Sequence, residues 1–541
     1  MAYIKKETTE NEVFMLTLPL EYEAWERHKL DVLFQCYNNV KNALISKKLK
    51  QLKQLERDKL YITNKTELKE VYTELNHLKD CKADKADIKA LEIRKTELCD
   101  ARNELIDKYG LSPGSFEKDI HLLQHHYCIV MTHEIANIAV DVKKEFEAYL
   151  YKNGKEIKFS AINEFRTITG KTNKGLTCFC KEGYVTVGRK KNPLTLGVKF
   201  SRTDKYKYEE QALRRNIHFC KLVRRPVDDG WQYFVQIAFG GTPPVKIDPD
   251  TGEVKNYIGE GNTGIDIGTQ TVAVVSDTKA ALTVLAENIE DVHKELRRVS
   301  RAIDRCRRAN NPDMFYSDGR IIPLNKLSKD MITGRGKRKW IKSKRQLSLE
   351  RKRRALCFRE SYQRILAHNK LANELVCTGN TFYVETMNFR ALAKKTKEDK
   401  TDDKGKHKSK KRFGKSISHK APATFINILK NKVESHGGKF IEIDTWNAKA
   451  SQYDHSTQAY NKKKLGRRWH TLINGDKIQR DLYSAFLIQH TNSTYDGFIQ
   501  DQLEKDYGNF KVLHDNVIYE LIHNNDVLPS SMGIHKKRAE A

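Results

Sequence analysis

Thr263-Gly-Ile-Asp-Ile-Gly-Thr-Gln270, followed at once by Thr271-Val-Ala-Val-Val-Ser276, is the stretch around which this chain is organised. Ile265 and Ile267 alternate with Asp266, which predicts a strand with one face in a core and a carboxylate on the other. Gly264 and Gly268 leave room for another backbone, a metal or a phosphate to come close. A single acid on a strand is an ordinary feature. Asp266 gains chemical meaning only if further carboxylates converge on it.

Downstream, two acids qualify. Gly379-Asn380 caps a helix that reaches Cys377, and Thr381-Phe-Tyr-Val-Glu385 then reads as a strand ending in a carboxylate. Phe425–Glu434 reads as an amphipathic helix and Lys439-Phe-Ile-Glu-Ile-Asp444 as a strand. A late helix over Asp476–His490 carries Asp481. The order strand-Asp, long insertion, strand-Glu, helix and strand, helix-Asp suits an RNase H-like α/β fold. Three acids on one sheet edge can hold two divalent ions about 3.5–4 Å apart. Carboxylate oxygens favour Mg²⁺, with Mn²⁺ a second choice. Crowded acids repel, so without metal at least one should have a raised pKa.

Between the first two acids, VHKELRRVSRAIDRCRR (292–308) puts Val292, Leu296, Val299, Ile303 and Cys306 on a core-facing seam. Arg297, Arg298, Arg301, Arg305 and Arg308 occupy the other faces, with only Glu295 and Asp304 to compensate. This is a phosphate-backbone contact or an ordinary solvated face. RGKRKWIKSKRQLSLERKRR (335–354) continues the basic character. Residues 394–412 contain no apolar side chain and are predicted to be disordered.

Upstream, Glu12–Pro19 reads as a strand ending at the proline. A long helical pattern runs from about Glu21 to Tyr109, punctuated near Thr63 and Lys82. Leu49, Leu52, Leu55, Leu60, Leu68, Val71, Leu75 and Leu78 recur within it, as in an αα-hairpin or coiled-coil arm over 49–109. Such an arm is structural, dimerising or nucleic-acid-gripping. A further helix runs from His121 to Leu150. Four short alternating strands then appear at Gly183–Gly188, Leu194–Phe200, Ile217–Val223 and Trp231–Ala238. With Val13–Leu18 they make a small β-barrel (1–20 and 155–245) into which a helical lobe (21–154) is inserted. Residues 246–262 read as a linker.

With 541 residues the chain needs more than one core. Its 99 Lys and Arg against 70 Asp and Glu give a formal net charge of +29, spread over many segments. Such a field favours a polyanion, and nucleic acid leads. A membrane is disfavoured, because no apolar run of about 20 residues exists. The N-terminal MAYIKKETTENEVF lacks a signal-peptide core. Ten cysteines without a framework predict reduced thiols in a cytoplasmic protein. Cys178-x-Cys180 and His218-x-Cys220 are explained most simply as same-face residues on adjacent strands.

Several stretches together resemble the TnpB family of transposon-encoded RNA-guided nucleases and the compact type V CRISPR effectors related to it. They are GWQYFVQIAF, GIDIGTQTVAVVS, FYVETMNFRALAKK, FGKSI, LKNKVESHGGKFIEIDTWNAKASQYD and QRDLYSAFLI, in the family's order over roughly the C-terminal half. The resemblance implies a RuvC-like nuclease domain (263–448 and 472–525) with Asp266, Glu385 and Asp481 at its catalytic and metal-holding positions. Arg480 matches the arginine that precedes the third acid. It also implies a wedge barrel with a helical recognition lobe and a bridging helix at 292–308. The implied partners are a guide RNA, double-stranded target DNA and its displaced strand. Work at a prokaryotic nucleoid follows from that.

One departure stands out. The family carries a four-cysteine zinc ribbon between the second and third acids, whereas no cysteine follows Cys377 here. Tyr453, His455 and His470 are too few and too mixed to rebuild it. A zinc-less nucleic-acid-binding insertion (449–471) is expected, and no structural zinc. Lys462, Lys463, Lys464, Arg467 and Arg468 either meet phosphate or form a solvated loop, with Trp469 available for stacking. A basic tail spans 526–541. Two alternatives stay open, a nuclease-silent RNA-guided repressor and a guide-independent RNase H-like recombinase or transposase. Monomer and homodimer are both compatible with the sequence.

Overall fold

The computed structural model describes residues 13–81, 84–124, 126–127, 130–152, 154, 156–170, 183–188, 193–228, 230–287, 289–333, 336–394, 413–462, 466–523 and 528–534. The loop 395–412, Cys178, Cys180, Lys463, Lys464 and the tail other than 528–534 lie outside the described residues. The chain divides into two compact units. One takes Thr9–Arg225 and Trp231–Pro244, the other Pro226–Gly230 and Val245–Ala541.

In the first unit, β1 (Val13–Glu21) alternates Phe14, Leu16, Leu18 and Leu20 inward. The strand passes through Pro19 and ends two residues beyond it. Pro19 is tolerated because β1 changes partner there. Val13–Pro19 pair with one strand, Leu20 and Glu21 with another, so the missing N–H falls at the switch. Three helices follow, α1 (Ala24–Leu55), α2 (Lys59–Asp80) and α3 (Lys85–Lys108). The first break lies at Glu56–Asp58 and not near Thr63, because the Asp58 carboxylate accepts the Leu60 N–H at 2.9 Å and starts a new helix. The second break is where the sequence puts it, with Asp84 capping α3 through Ala86. Leu52, Leu55, Leu68 and Leu75 are buried within the unit, while Leu60 is exposed. The expected 121–150 helix is two, α4 (Pro113–Gln124) and α5 (Thr132–Tyr151).

The remaining strands are β2 (Thr167–Thr169), β3 (Tyr184–Val187), β4 (Leu194–Val198), β5 (Ile217–Val227) and β6 (Gly230–Gly240), with the short helix α6 (Tyr208–Leu213) before β5. The sheet order is β2-β5-β6-β1-β4-β3, all neighbours antiparallel. Among the described residues no pairing joins β2 to β3, so the sheet is an open half-barrel. Helices and sheet share one continuous core, from Phe14 through Phe34, Leu44 and Val142 to Phe239. His218 is exposed and Cys220 fully buried, which suits a strand position better than a shared ligand role.

In the second unit, Ile247 and Val254 form an isolated bridge in the segment before β7 (Asn262–Ile267). β7, β8 (Thr271–Ser276) and β9 (Ala280–Val284) make an antiparallel meander. Two long helices follow, α7 (His293–Asn310) and α8 (Lys344–Leu375), and then β10 (Thr381–Glu385) and α9 (Phe389–Ala393). Next come α10 (Gly414–Lys420), α11 (Pro422–Ser435), β11 (Lys439–Ile443) and α12 (Thr445–Ala448). β10 lies parallel to β7, and β11 parallel to β10, giving the order β11-β10-β7-β8-β9. Two small hairpins pair β12 (Tyr453–Asp454) with β13 (Ala459–Tyr460) and β14 (Trp469–Thr471) with β15 (Lys477–Gln479). The chain closes with α13 (Arg480–Gln489) and α14 (Gln500–His523). The late helix thus starts later than Asp476, because Lys477–Gln479 are spent on strand pairing.

Both faces of this sheet are covered. Ile265, Ile267, Val274 and Val384 pack against Leu375 of α8 and Phe425, Leu429 and Val433 of α11. Ala273, Val275 and Ile443 pack against Leu482, Phe486 and Leu487 of α13 and Phe510 of α14. Each such Val, Leu, Ile or Phe side chain removed from water contributes about 1.5–3 kcal/mol. Among the described residues no helix is long and apolar enough to cross a membrane, and the described cysteines are all free.

Candidate active site

The Asp266 face of β7 is the one that α13 covers. A Cβ on Gly264 would stand 2.0 Å from the Ala485 carbonyl oxygen and 2.3 Å from the Gln489 nitrogen. Only glycine lets the helix lie this close, and the close approach brings the first turn of α13 toward Asp266 two residues further along the strand. On the other side of β7, β10 runs parallel in register Val384↔Ile265 and ends at Glu385. Asp266, Glu385 and Asp481 therefore reach one edge of the sheet from β7, β10 and α13.

Asp481 sits in the first turn of α13, where the helix dipole favours a carboxylate. Gln479, fully buried, caps the helix by accepting the Leu482 N–H at 2.8 Å. Its amide nitrogen donates to Asp481 Oδ2 at 3.3 Å and to the Met532 carbonyl at 3.2 Å. Its backbone N–H donates to His514 Nε2 at 2.9 Å. Arg480 Nη2 donates to Asp481 Oδ1 at 3.2 Å, and Arg468 Nη1 lies 3.6 Å from Oδ2. Glu385 accepts the Ala450 N–H at 3.1 Å.

Burial raises the Asp266 carboxyl well above the ordinary carboxylate range, and the charges of Asp481 and Glu385 push the same way against Arg480 and Arg468. Burial lifts Glu385 to about 7, with the Ala450 N–H pulling it back. The two arginines contact Asp481 and leave the other two acids without an ion-pair partner in the described residues. Such a site gathers carboxylates in a place only partly open to water, and a cation relieves their repulsion. Asp266, Glu385 and Asp481 are the carboxylates that would hold a hard divalent ion here, through oxygen ligands alone.

The arginines of 292–308 lie where the periodicity puts them. Val299 and Ile303 are buried against Leu356 of α8, while Arg297, Arg298, Arg301, Arg305 and Arg308 are exposed. Lys294, Arg297, Arg298, Arg301 and Arg305 line a groove of about 290 Å³. In the 449–471 segment, Lys462 and Arg467 are exposed. Arg468 is turned to Asp481. Trp469 is half-buried, and its indole N–H donates to the Gly533 carbonyl at 2.8 Å. His470 Nε2 lies 2.9 Å from Asp454 Oδ2 and His455 Nδ1 lies 2.6 Å from the Tyr483 hydroxyl, all of them buried. A hydrogen-bonded polar core thus stands in the interval that lacks cysteines.

Two residues escaped the sequence reading. Gln479 orients Asp481 from the neighbouring strand, and no local signal marks it, because glutamine is not among the residues favoured at a helix N-cap. Trp446 is 83% exposed on α12, between Asp444 and the Ala450 that touches Glu385. A tryptophan so bare is rare on a surface with no partner.

No protein-family profile matches the chain, and no curated protein does. Among solved structures the chain is similar to a cryo-electron-microscopy structure of a Cas12f1–sgRNA–target DNA complex. The identity is 10% and the TM-score 0.39, over 90% of this chain and 100% of that one. It is also similar to a cryo-electron-microscopy structure of a CRISPR-Cas12f ternary complex, at 12% identity and TM-score 0.24, over 88% and 99%. Scores this low do not establish a shared fold.

Proposed function

We propose that this protein is an RNA-guided DNA endonuclease with one RuvC-like, RNase H-like active site at Asp266, Glu385 and Asp481. The observation that carries the reading is their convergence on one edge of a mixed five-stranded sheet, from the penultimate residue of β7, the end of β10 and the start of α13. The ordered set of motifs resembling TnpB and compact type V effectors supports the guide RNA and the DNA target.

The donor set is all oxygen and excess negative, which fits Mg²⁺ and, second, Mn²⁺. When bound, two such ions supply an activated water for in-line attack on phosphorus and stabilise the leaving 3′ oxygen. Asp266, Glu385 and Asp481 would hold these ions through their carboxylate oxygens. Gln479 and Arg480 keep the Asp481 carboxylate oriented, and the Ala450 N–H does the same for Glu385. The exposed arginines of α7 take the phosphate backbone of the paired RNA and DNA, whose sequence is read by base pairing. Trp446 offers an aromatic face to an unpaired base of the strand entering the site.

The test is to sequence the RNA that co-purifies with the protein, then offer duplex DNA matched to it in Mg²⁺ with and without prior RNase treatment. Cutting of matched DNA that RNase abolishes is expected. Binding without cutting supports the silent repressor, and RNase-resistant cutting or strand transfer supports a guide-independent recombinase.

A further inference from the structure

A second cluster of ligating side chains lies away from the three acids, at the start of the arginine helix. His293 (first residue of α7), Glu360 (α8) and His419 (α10) each bring a ligand atom within 4.8 Å of the others. They are the one such group among the described residues. We propose that they bind a single transition-metal dication of the Zn²⁺ class, which fastens the start of α7 to α8 and α10.

Four observations support the site. First, His293 Nε2 is buried and has no hydrogen-bond partner. The nearest carboxylate oxygen, Glu360 Oε1, is 4.0 Å away, beyond hydrogen-bond reach. A buried imidazole nitrogen without a partner is unfavourable, and a metal bond removes that penalty. Second, the spacings fit. Zinc holds nitrogen and oxygen ligands at about 2.0–2.2 Å, so tetrahedral neighbours stand roughly 3.4 Å apart. The observed separations straddle that value, 2.9 Å between His419 Nδ1 and Glu360 Oε1 and 4.0 Å from the same oxygen to His293 Nε2. The two imidazole rings lie 5.0 Å apart and tilted by 49°, as rings facing a common centre would.

Third, the surroundings hold the ligands in place. Arg364 donates to the Ser418 and His419 carbonyls at 2.7 and 2.9 Å, which fixes the backbone that carries one imidazole. The guanidinium also stands 4.0 Å from Glu360 Oε1. The Asp291 carboxylate accepts the His293 N–H at 2.9 Å and adds negative charge beside both histidines, partly balanced by Lys415. Fourth, there is a route from solvent. His293 lines a groove of about 510 Å³ together with Leu296, Arg297, Ser300, Arg301, Asp304 and Lys415.

The donor set selects the ion. Two imidazoles and one carboxylate suit zinc and its transition-metal neighbours and are poor ligands for Mg²⁺. This reading departs from the sequence-based expectation of no structural zinc, which weighed only the 449–471 interval and two Cys/His pairs.

Titration of the metal-stripped, full-length protein with Co²⁺ tests the proposal. One equivalent should produce the visible absorption of a low-symmetry four-coordinate cobalt site, be displaced by Zn²⁺ and resist excess Mg²⁺. The band should persist in Asp266→Ala and disappear in the double variant His293→Ala/His419→Ala. Glu360→Gln, which keeps the shape and loses the charge, should weaken binding at least about tenfold and serves if the double variant does not fold. No band in the wild-type protein overturns the proposal. So does a band that the folded double variant or Glu360→Gln leaves unchanged.

Discussion

Two clusters in the second unit are built on opposite plans. Asp266, Glu385 and Asp481 are three carboxylates, oxygen donors only, and the other two acids push the Asp266 carboxyl upward. His293, Glu360 and His419 are two imidazoles and one acid, close enough for a single ion. In the first arrangement desolvation raises both Asp266 and Glu385, and repulsion from the other acids adds to it at Asp266. The second stores little beyond one unmade hydrogen bond at His293. Repulsive, all-oxygen sites call for hard ions that keep waters and do chemistry, whereas compact nitrogen-rich sites call for an ion that stays. Charge and donor type separate the two roles better than residue count does.

The largest expected effect falls on the flanking acids. Glu385→Gln or Asp481→Asn should cut DNA at least about 10³-fold more slowly in Mg²⁺, since each removes several kcal/mol of transition-state stabilisation. Single-turnover cleavage measures it, with binding by gel shift as control. If only one of the two matters, the picture of a site shared by all three acids fails.

Gly264→Ala tests how the site is assembled. Its Cβ would meet the Ala485 carbonyl at 2.0 Å, so α13 must retreat from β7 and carry Asp481 with it. Overpacking of this kind costs about 1–3 kcal/mol of stability, and a shift of about 1 Å in a catalytic group can cost 10²-fold in rate. Thermal melting and cleavage should both fall. Intact cleavage would mean that the α13 approach does not set the geometry.

The α7 arginines should show a smaller effect. Arg301→Ala/Arg305→Ala should weaken nucleic-acid affinity severalfold and lower the slope of log K against log salt by about two, at about 0.9 per lost phosphate contact. A salt response equal to wild type would make the arginine face a merely solvated one.

Glu134 is a control for burial without ligation. It lies buried in the first turn of α5, where desolvation raises its carboxyl from 4.5 to about 7. The native state therefore holds the proton more tightly than the unfolded chain. The resulting stability is complete below about pH 4.5 and is lost as the pH rises through 7, on the order of 3 kcal/mol. Glu134→Gln should raise the melting temperature of the first unit by a few degrees at pH 8 and leave it nearly unchanged at pH 4. Mg²⁺ should not alter that difference, whereas at Glu385 it should favour the charged form. A Mg²⁺ effect at both acids would mean that burial alone explains Glu385.

Much of the candidate site's sheet edge is legible because it is written locally. Glycines and alternating isoleucines mark β7, an aromatic and β-branched run marks β10, and both carry their acids where the pattern ends or alternates. The helix bearing Asp481 was read as starting at Asp476, because nothing local shows that Lys477–Gln479 pairs with Trp469–Thr471. Register between distant strands is a tertiary decision. The break at Asp58 was missed for a related reason, since an Asp followed two residues later by Leu is a common pair until the cap forms. His293, Glu360 and His419 stand on three separate helices, and only the packing of α7 and α10 on α8 brings them together. Trp446 reads as one more aromatic until its exposure is known.

One measurement tests the account most directly: single-turnover cleavage of duplex DNA matched to the co-purifying RNA, in Mg²⁺, by the wild-type protein and by Asp266→Ala, with binding measured on the same samples. The account predicts that Asp266→Ala binds guide and target as the wild-type protein does and leaves the DNA uncut. Cutting by Asp266→Ala at the wild-type rate would contradict it.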